Sequence, residues 1–340
     1  MSRNRSIIAA AGARKTQLII DEAIAAAPSR VLITTYTNEN LRQIERRILA
    51  RSGVIPDHIS LTGWFSFLLN DGVRPYQAAM FNKVGLVKGL NFMADRPRYT
   101  RSDDPRYFLD TNQDVWRDAM ADLVCRIETA SGGAVTRRLQ RMYDHVFIDE
   151  VQDLVGYDLE IVDLLFSAPF EVTAVGDPRQ HLYSTNNAQK NKKYRGAGII
   201  QWFDERSGVC LREDRRVSYR CNQEICDFAS ALFPDYPSIK AAEDIKTGYD
   251  GIQTVSRFDV LDFAAEYRPQ VLRHDKRTKT QGLDAMNFGV SKGSTFERVL
   301  IFPTAPMTSY LDHRDPSKLK RPEALYVAVT RARHSVTFVV

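Results

Sequence analysis

The sequence lacks the features of a membrane-spanning or secreted chain. No apolar run approaches the roughly 20 residues that a helix needs to cross a bilayer. The apolar stretch 7–11 is too short for the core of a signal peptide. Four cysteines are present without metal-binding spacing, which favours reduced thiols in a cytoplasmic protein (Cys125, Cys210, Cys221, Cys226). We therefore expect a soluble cytoplasmic protein without a membrane partner.

The chain also has little excess charge, no internal repeat and no low-complexity linker. Lys and Arg number 47 and Asp and Glu 42, which gives a net charge of +5. This balance permits an anionic partner without demanding one. A length of 340 residues allows about two domains, each large enough to bury a core.

A repeated strand–helix order is present at both ends of the chain, and it predicts an α/β fold with parallel sheets. The predicted strands near the N-terminus cover 5–9 and 31–35, and the predicted helices 15–27 and 38–49. Near the C-terminus, β-branched runs predict strands at 299–302 and 336–340.

The segment from about 70 to 141 interrupts this order. It is mostly helical in pattern and rich in Arg and Tyr, with a proline-punctuated loop at 96–101. We interpret it as a small helical insertion in a first domain that covers 1–207. A second domain would cover 208–340.

Two buried-strand patterns end abruptly in carboxylates and a glutamine. One runs into Asp149-Glu150-Val151-Gln152-Asp153, and the other into Gly176-Asp177-Pro178-Arg179-Gln180. Ligands of open α/β sheets bind at the carboxyl ends of the strands. Asp149 would therefore hold Mg²⁺, which prefers oxygen ligands, and Glu150 would polarise an attacking water.

The first strand leads into a turn that opens a helix, which is the position of a phosphate-binding loop. The turn contains Gly12, Ala13, Arg14, Lys15 and Thr16. Lys15 would reach the β- and γ-phosphates of ATP, and Thr16 would bind Mg²⁺. Arg14 occupies a position where the pattern has glycine. A positive φ would cost it on the order of 1–2 kcal/mol, so we expect another backbone angle or a compensating contact.

These blocks occur in the order found in one helicase family, and the chain resembles the UvrD/Rep/PcrA family of superfamily-one helicases. The blocks that carry the resemblance are GARKT at 12–16, TYTN at 35–38, TGWFSF at 62–67, DEVQD at 149–153, GDPRQ at 176–180, RGA at 195–197, SYRC at 218–221, SKGSTF at 291–296 and YVAVTRAR at 326–333. The resemblance spans nearly the whole chain apart from 70–141 and 230–285.

The resemblance implies two RecA-like domains with an ATP–Mg²⁺ site between them. Arg220 and Arg331 would stabilise the charge of the transferred phosphoryl group, as arginine fingers do. Gln180 would sense the γ-phosphate, and Tyr219 would stack on the adenine. The implied activity is that of a DNA-dependent ATPase that moves along single-stranded DNA, with 3′-to-5′ polarity.

Aromatic residues at strand ends predict the path of the nucleic acid. Tyr36, Trp64, Tyr183 and Tyr194 occupy positions where the family stacks bases of a single strand, a contact that ignores base sequence. Trp64 is equally compatible with core packing. The inserted residues between Ser184 and Tyr194 include three lysines, which would bind phosphates or form a solvated basic loop (Lys190, Lys192, Lys193).

The chain departs from the family pattern at several places. The family's upstream glutamine block, which reads adenine, has no counterpart before the phosphate loop, and Thr295 replaces a glutamate. The large insertion of the second domain has no counterpart, which favours translocation over unwinding. Arg14, Thr295 and the missing glutamine block support an alternative: a nucleotide-gated, weakly hydrolysing DNA-binding subunit that regulates a partner nuclease in antiviral defence or repair.

Overall fold

The computed structural model describes residues 4–81, 86–94, 96–97 and 99–340, and these fold into two units, each built on a parallel sheet. Unit 1 consists of the chain through Ile8, Lys15–Pro178 and Tyr183–Glu213. Unit 2 consists of Ala9–Arg14, Arg179–Leu182 and Asp214–Val340. The domain boundary between 207 and 208 stays a prediction.

Unit 1 alternates strands with helices. Its strands are β1 (Asn4–Ala9), β2 (Val31–Thr35), β3 (Ile59–Gly63), β4 (Gly89–Asn91), β5 (Asp114–Trp116), β6 (His145–Asp149), β7 (Glu171–Gly176) and β8 (Cys210–Arg215). The last residue of β1 and the last two of β8 belong to unit 2. The helices of unit 1 are α1 (Lys15–Ala25), α2 (Asn38–Ser52), α3 (Trp64–Phe67), α4 (Ala78–Phe81), α5 (Met120–Ala130), α6 (Ala134–Met142), α7 (Asp158–Phe166) and α8 (Gly198–Asp204).

The main sheet of unit 1 has the strand order β3-β2-β6-β7-β1-β8. All five residues of β2 are buried, as expected for a parallel strand whose two faces are covered by helices. In the register of β6 with its neighbours, Asp149 pairs with Thr35 on one side and Val175 on the other. The ends of these strands therefore lie side by side at one edge of the sheet.

The insertion is less helical than its sequence pattern predicts. A π-helical turn at Leu68–Val73 precedes α4, and a two-stranded parallel pair, β4 with β5, separates α4 from α5. The described residues of the predicted 96–101 loop form no regular element, while Arg98 lies outside the described residues. Buried aromatic and aliphatic side chains of the insertion, such as Phe108 and Leu123, join the core cluster of unit 1.

Unit 2 contains a five-stranded parallel sheet of order β11-β15-β14-β12-β13 and a short pair, β9 with β10. Its strands are β9 (Val217–Ser218), β10 (Lys240–Ala241), β11 (Gly251–Val255), β12 (Gln270–Arg273), β13 (Met286–Asn287), β14 (Phe296–Phe302) and β15 (Ala332–Val339). Its helices are α9 (Gln223–Ala231), α10 (Val260–Tyr267), α11 (Ala305–His313) and α12 (Pro322–Val329).

The predicted fold class, α/β with two RecA-like parallel-sheet units and an insertion in the first, is confirmed. The predicted strand at 31–35 coincides with β2, and the predicted helix at 15–27 ends two residues earlier, at Ala25. Among the described residues, no helix combines the length and apolar content that crossing a bilayer requires.

Candidate nucleotide and nucleic-acid sites

A hydroxyl and a carboxylate meet where the predicted phosphate loop leads into α1. Thr16 lies in the first turn of α1, and Asp149 is the last residue of β6. The Thr16 hydroxyl donates a hydrogen bond to Asp149 Oδ2 over 3.3 Å. Two residues that are 133 positions apart in sequence are thereby brought together, as the resemblance implies.

The Asp149 carboxyl is buried, and its pKa is raised well above its usual value. Burial is the main cause because it disfavours the charged form, and the neighbouring Glu150 carboxylate adds repulsion. The positive charge of Lys15 and the hydrogen bonds from Glu150 N–H and Thr16 oppose this rise in pKa. A cation bound at Asp149 would favour its ionised form.

Glu150 is held by its own backbone and by a glutamine. It adopts φ 57° and ψ 39°, the left-handed region, and its N–H donates to Asp149 Oδ1 at 3.0 Å. Gln152 Nε2 donates to Glu150 Oε2, while Gln152 Oε1 accepts from the N–H of Asp177 at 3.0 Å. A Cβ on Gly176 would stand 2.4 Å from Gln152 Oε1, so glycine there permits this contact. Both strand-end motifs are thus linked through Gln152.

Within unit 2, the segment Ala9–Arg14 packs against the residues after β9. The N–H of Tyr219 donates to Gly12 O at 3.0 Å. Gly12 has φ +77°, and a Cβ on it would lie 2.3 Å from Ser218 Oγ and 2.8 Å from Arg220 Cβ. Any larger residue at position 12 would therefore push these two segments apart.

Arg14 takes the unfavourable backbone angle, with φ 56°. Its guanidinium lies over the ring of Tyr219, 3.8 Å from the centroid, a cation–π contact. Tyr219 is 54% exposed, and both residues line a cavity of ≈ 500 Å³ in unit 2. The expected compensation for the backbone cost is therefore present, and it comes from an aromatic ring.

Two of the predicted phosphate-sensing residues contact each other within unit 2. Arg331 is buried, and its Nη2 donates to Gln180 Oε1 at 3.0 Å. Its Nε donates to Val327 O at 3.0 Å. Arg220 Nη1 donates to Thr330 O, the carbonyl that precedes Arg331, at 2.9 Å. Backbone carbonyls of the segment 327–330 thus hold the guanidinium groups of both Arg220 and Arg331.

Unit 1 contains an aromatic cavity of ≈ 410 Å³ beyond the ends of β2 and β3. Tyr36, Phe65, Phe92 and Tyr183 line it together with the polar side chains of Thr37, Asn38 and Ser66. Phe65 packs edge-on against Phe92, with centroids 5.2 Å apart. Phe92 is 51% exposed and Tyr183 44%, so their rings are accessible to a ligand.

Sequence reasoning missed Phe92, which belongs to the insertion. No motif marks it, and its position becomes clear only once β4 and β5 pair beside the main sheet.

Two predicted stacking residues are not available at the surface. Trp64 is 1% exposed, and its indole Nε1 donates to the buried Asp158 at 2.7 Å, so its ring is packed in the core although the residue belongs to the cavity lining. Tyr194 is 7% exposed; its hydroxyl donates to Glu205, and the Lys193 ammonium lies 4.5 Å from its ring centroid. Neither ring presents a free face for a base in this structure.

Two of the three lysines between Ser184 and Tyr194 pair with carboxylates. Lys190 lies 3.6 Å from a Glu160 carboxylate oxygen, and Lys193 lies 3.6 Å from a Glu205 oxygen. Each lysine is therefore partly neutralised by a carboxylate of unit 1.

Residues 106–194 match the family model described as UvrD/REP helicase N-terminal domain. This match includes β6, β7 and both strand-end motifs. It agrees with the resemblance to UvrD/Rep helicases over this part of the chain. A comparison with curated proteins found no match.

The fold of the chain is similar to that of a solved helicase. The arterivirus nonstructural protein 10 helicase is 17% identical, with a TM-score of 0.51, over 99% of this chain and 59% of that protein. The helicase of PRRSV is 18% identical, with a TM-score of 0.49, over 99% of this chain and 52% of its own. The arterivirus nonstructural protein 10 helicase in complex with DNA is 16% identical, with a TM-score of 0.49, over 99% of this chain and 61% of that protein. The chain thus spans between half and two thirds of the length of these helicases.

Proposed function

We propose that the chain is an ATP-dependent translocase on single-stranded DNA, with 3′-to-5′ polarity and with residues of both RecA-like units contributing to hydrolysis. The bond between Thr16 and Asp149 carries this proposal. It joins α1, the helix that follows the predicted phosphate loop, to the first carboxylate of the DEVQD motif. Such a pairing is expected of a nucleotide–metal site.

The residues present fit a magnesium ion. The Thr16 hydroxyl and Asp149 carboxylate oxygens are 3.3 Å apart. This is close to the spacing of about 3 Å between neighbouring corners of an octahedron of ligands at 2.0–2.1 Å. Mg²⁺ keeps waters and substrate phosphates as its other ligands, so two protein oxygens suffice. When bound, the ion would neutralise charge on the β- and γ-phosphates of ATP.

The side chains of this chain would do the remaining work. Lys15, directly after the loop, would bind the phosphates as a point charge. Glu150, held by Gln152, would orient the attacking water and accept its proton. Arg220 and Arg331 would stabilise the charge of the transferred phosphoryl group.

The proposed nucleic-acid site is the aromatic cavity of unit 1. Exposed rings accept bases by stacking without regard to sequence, as a translocase requires. Tyr183 and Phe92 provide such rings, and Asn38 and Ser66 add hydrogen-bonding groups at the same cavity. The UvrD/REP family match and the mild positive charge of the chain support a nucleic-acid partner.

A second candidate is a nucleotide-gated binding subunit that hydrolyses slowly and regulates a partner, such as a nuclease. One observation favours it: Arg14 covers one face of Tyr219, the ring assigned to stack on the base of ATP. In this case the base of ATP would have to displace the Arg14 guanidinium from the Tyr219 ring or stack on the opposite face of that ring.

Steady-state ATP hydrolysis with and without single-stranded DNA tests the proposal. A translocase gives a rate that rises severalfold on adding the strand and disappears in Lys15→Ala. Displacement of streptavidin from a strand with biotin at its 5′ end, but not at its 3′ end, would show 3′-to-5′ movement. ATP-dependent strand binding with negligible turnover would instead support the second candidate.

A further inference from the structure

Asp158 is a buried carboxylate of unit 1 that has no role in the functions discussed so far. It accepts hydrogen bonds from three buried side chains. Trp64 Nε1 donates to Oδ1 of Asp158 at 2.7 Å. Oδ2 accepts from the Thr185 hydroxyl and, at 3.0 Å, from Asn186 Nδ2. A buried carboxylate is costly unless such bonds are made, so the position of each donor is tightly constrained.

The two loop residues are also fixed to the backbone that precedes α7. The Thr185 hydroxyl accepts from the N–H of Val155 at 3.2 Å, and Asn186 Nδ2 donates to Val155 O at 2.8 Å. A Cβ on Gly156 would stand 2.5 Å from Asn186 Oδ1, so the loop approaches as closely as only a glycine allows. The segment after Tyr183 is therefore built into the core.

We propose that Asp158 is the positioning residue of the aromatic cavity. It connects Trp64, one of the residues that line the cavity, to Thr185, which lies two residues after Tyr183, another lining residue. The hydroxyl of Tyr36 donates to Ser184 O at 3.4 Å and adds a contact to the same segment after Tyr183. This inference rests on the proposed role of the cavity in binding single-stranded nucleic acid.

The network requires a carboxylate rather than an amide. Asn186 cannot rotate its amide, because Oδ1 accepts from the N–H of Ala188 at 2.9 Å while Nδ2 donates to Val155 O. If Asp158→Asn kept its oxygen towards Trp64, its NH₂ group would face the NH₂ group of Asn186. The inserted loop would then have to move, and with it Tyr183.

Thr185 provides a pair of matched variants for the test. Thr185→Val removes the hydroxyl but keeps the shape, whereas Thr185→Ser keeps the hydroxyl. ATP hydrolysis by each full-length variant is measured against the concentration of a poly(dT) strand at one salt concentration. We expect Thr185→Val and Asp158→Asn to raise the half-saturating strand concentration about tenfold, the equivalent of one impaired stacking contact. The maximal rate and the KM for ATP should stay within twofold of wild type. Thr185→Ser should behave as wild type.

A general loss of structure would lower the maximal rate and affect ATP as well as DNA, which separates it from a positioning role. Should Asp158→Asn fail to fold, the comparison of Thr185→Val with Thr185→Ser still decides. Equal strand requirements for these two variants, with wild type responding to poly(dT), would overturn the inference alone. A wild-type protein that neither binds poly(dT) nor responds to it would overturn the proposed function, and the inference with it.

Discussion

Arg331 Nη2 and Gln180 Oε1 are joined by a hydrogen bond of 3.0 Å, although the two residues lie 151 positions apart in the sequence. Both belong to unit 2, where the short segment Arg179–Leu182 is included. A neighbouring contact strengthens the attachment, because the guanidinium of Arg179 lies 5.2 Å from the ring centroid of Tyr326 on α12. If Gln180 senses the γ-phosphate, as the resemblance implies, a change of nucleotide state would be transmitted directly to Arg331.

The two arginines of the YVAVTRAR motif should differ sharply on substitution. Arg331→Lys keeps the charge but loses the planar set of donors that contacts Gln180 and Val327 together. We expect kcat for ATP to fall by at least tenfold, with ATP affinity little changed. Arg333→Lys is the matched control, since Arg333 is exposed and pairs with Glu297. Equal rates for both variants in a steady-state assay would exclude a catalytic role for Arg331.

Glu150→Gln should bind ATP but hardly hydrolyse it, because the amide has the same shape yet cannot accept a proton from water. We expect turnover to drop by more than a hundredfold, while a fluorescent ATP analogue binds with wild-type affinity. ATP should then accumulate bound, and affinity for single-stranded DNA should respond to it. Glu160→Gln, at a carboxylate on α7 outside the assigned site, serves as the control. Wild-type hydrolysis by Glu150→Gln would remove Glu150 from the mechanism.

The strands and the nucleotide motifs could be predicted from sequence because their signals are local. The β-branched run at 31–35 is buried on both sides in β2, and the DEVQD motif begins with the last residue of β6. The aromatic cavity could not be predicted in the same way. Whether Trp64 or Tyr194 faces solvent depends on contacts that no motif marks, with Asp158, 94 positions away, in one case and with Glu205 on the far side of α8 in the other. Phe92 reaches the cavity through an insertion that has no motif.

Tyr183 and Tyr194 should contribute unequally to DNA binding. Tyr183→Ala removes an accessible ring from the cavity, so we expect affinity for single-stranded DNA to weaken by about 1–3 kcal/mol. Tyr194→Ala empties a buried site and should mainly lower the free energy of unfolding, by about 3–5 kcal/mol as for other large aromatic residues. Fluorescence anisotropy at a fixed salt concentration, with urea denaturation in parallel, measures both. A larger loss of DNA affinity in Tyr194→Ala would place Tyr194 on the nucleic-acid path after all.

Asp158 should make the stability of the protein depend on pH between about 4 and 6. Burial raises the pKa of its carboxyl from 3.8 to about 6, while hydrogen bonds from Thr185 and Trp64 oppose the rise. Within this window the folded protein keeps a proton that the unfolded chain has lost. The free energy of unfolding should therefore fall as pH rises, by up to about 3 kcal/mol.

Asp158→Asn should remove this component of the pH dependence. The nearby Cys125 thiol does not titrate in this pH window, because its pKa is raised to about 12. Burial is the main cause of that rise, and the negative charges of Glu160, Asp122 and Asp158 add to it. Urea denaturation of both proteins at pH 4.5 and 7 gives the difference between their slopes. Parallel curves for the variant and wild type would show that Asp158 does not titrate there.

Arg14→Gly separates the two candidate functions. Arg14 has φ 56°, which costs a non-glycine residue on the order of 1–2 kcal/mol, and its guanidinium lies on Tyr219. If this contact only offsets the backbone cost, glycine relieves the strain, frees the ring for the base of ATP and raises kcat/KM. If the guanidinium instead moves to the phosphates when ATP binds, glycine deletes a charge-assisted contact of about 1.5–3 kcal/mol, and kcat/KM falls more than tenfold. We expect kcat/KM to fall, because the phosphates would attract the guanidinium of Arg14, which adjoins Lys15 in the loop.

Arg14→Lys is the control, since it keeps the positive charge and most of the length of the side chain. Steady-state kinetics with single-stranded DNA decide: a higher kcat/KM in Arg14→Gly would contradict recruitment to the phosphates. Hydrolysis near background in the wild type and both variants would favour the nucleotide-gated binding subunit.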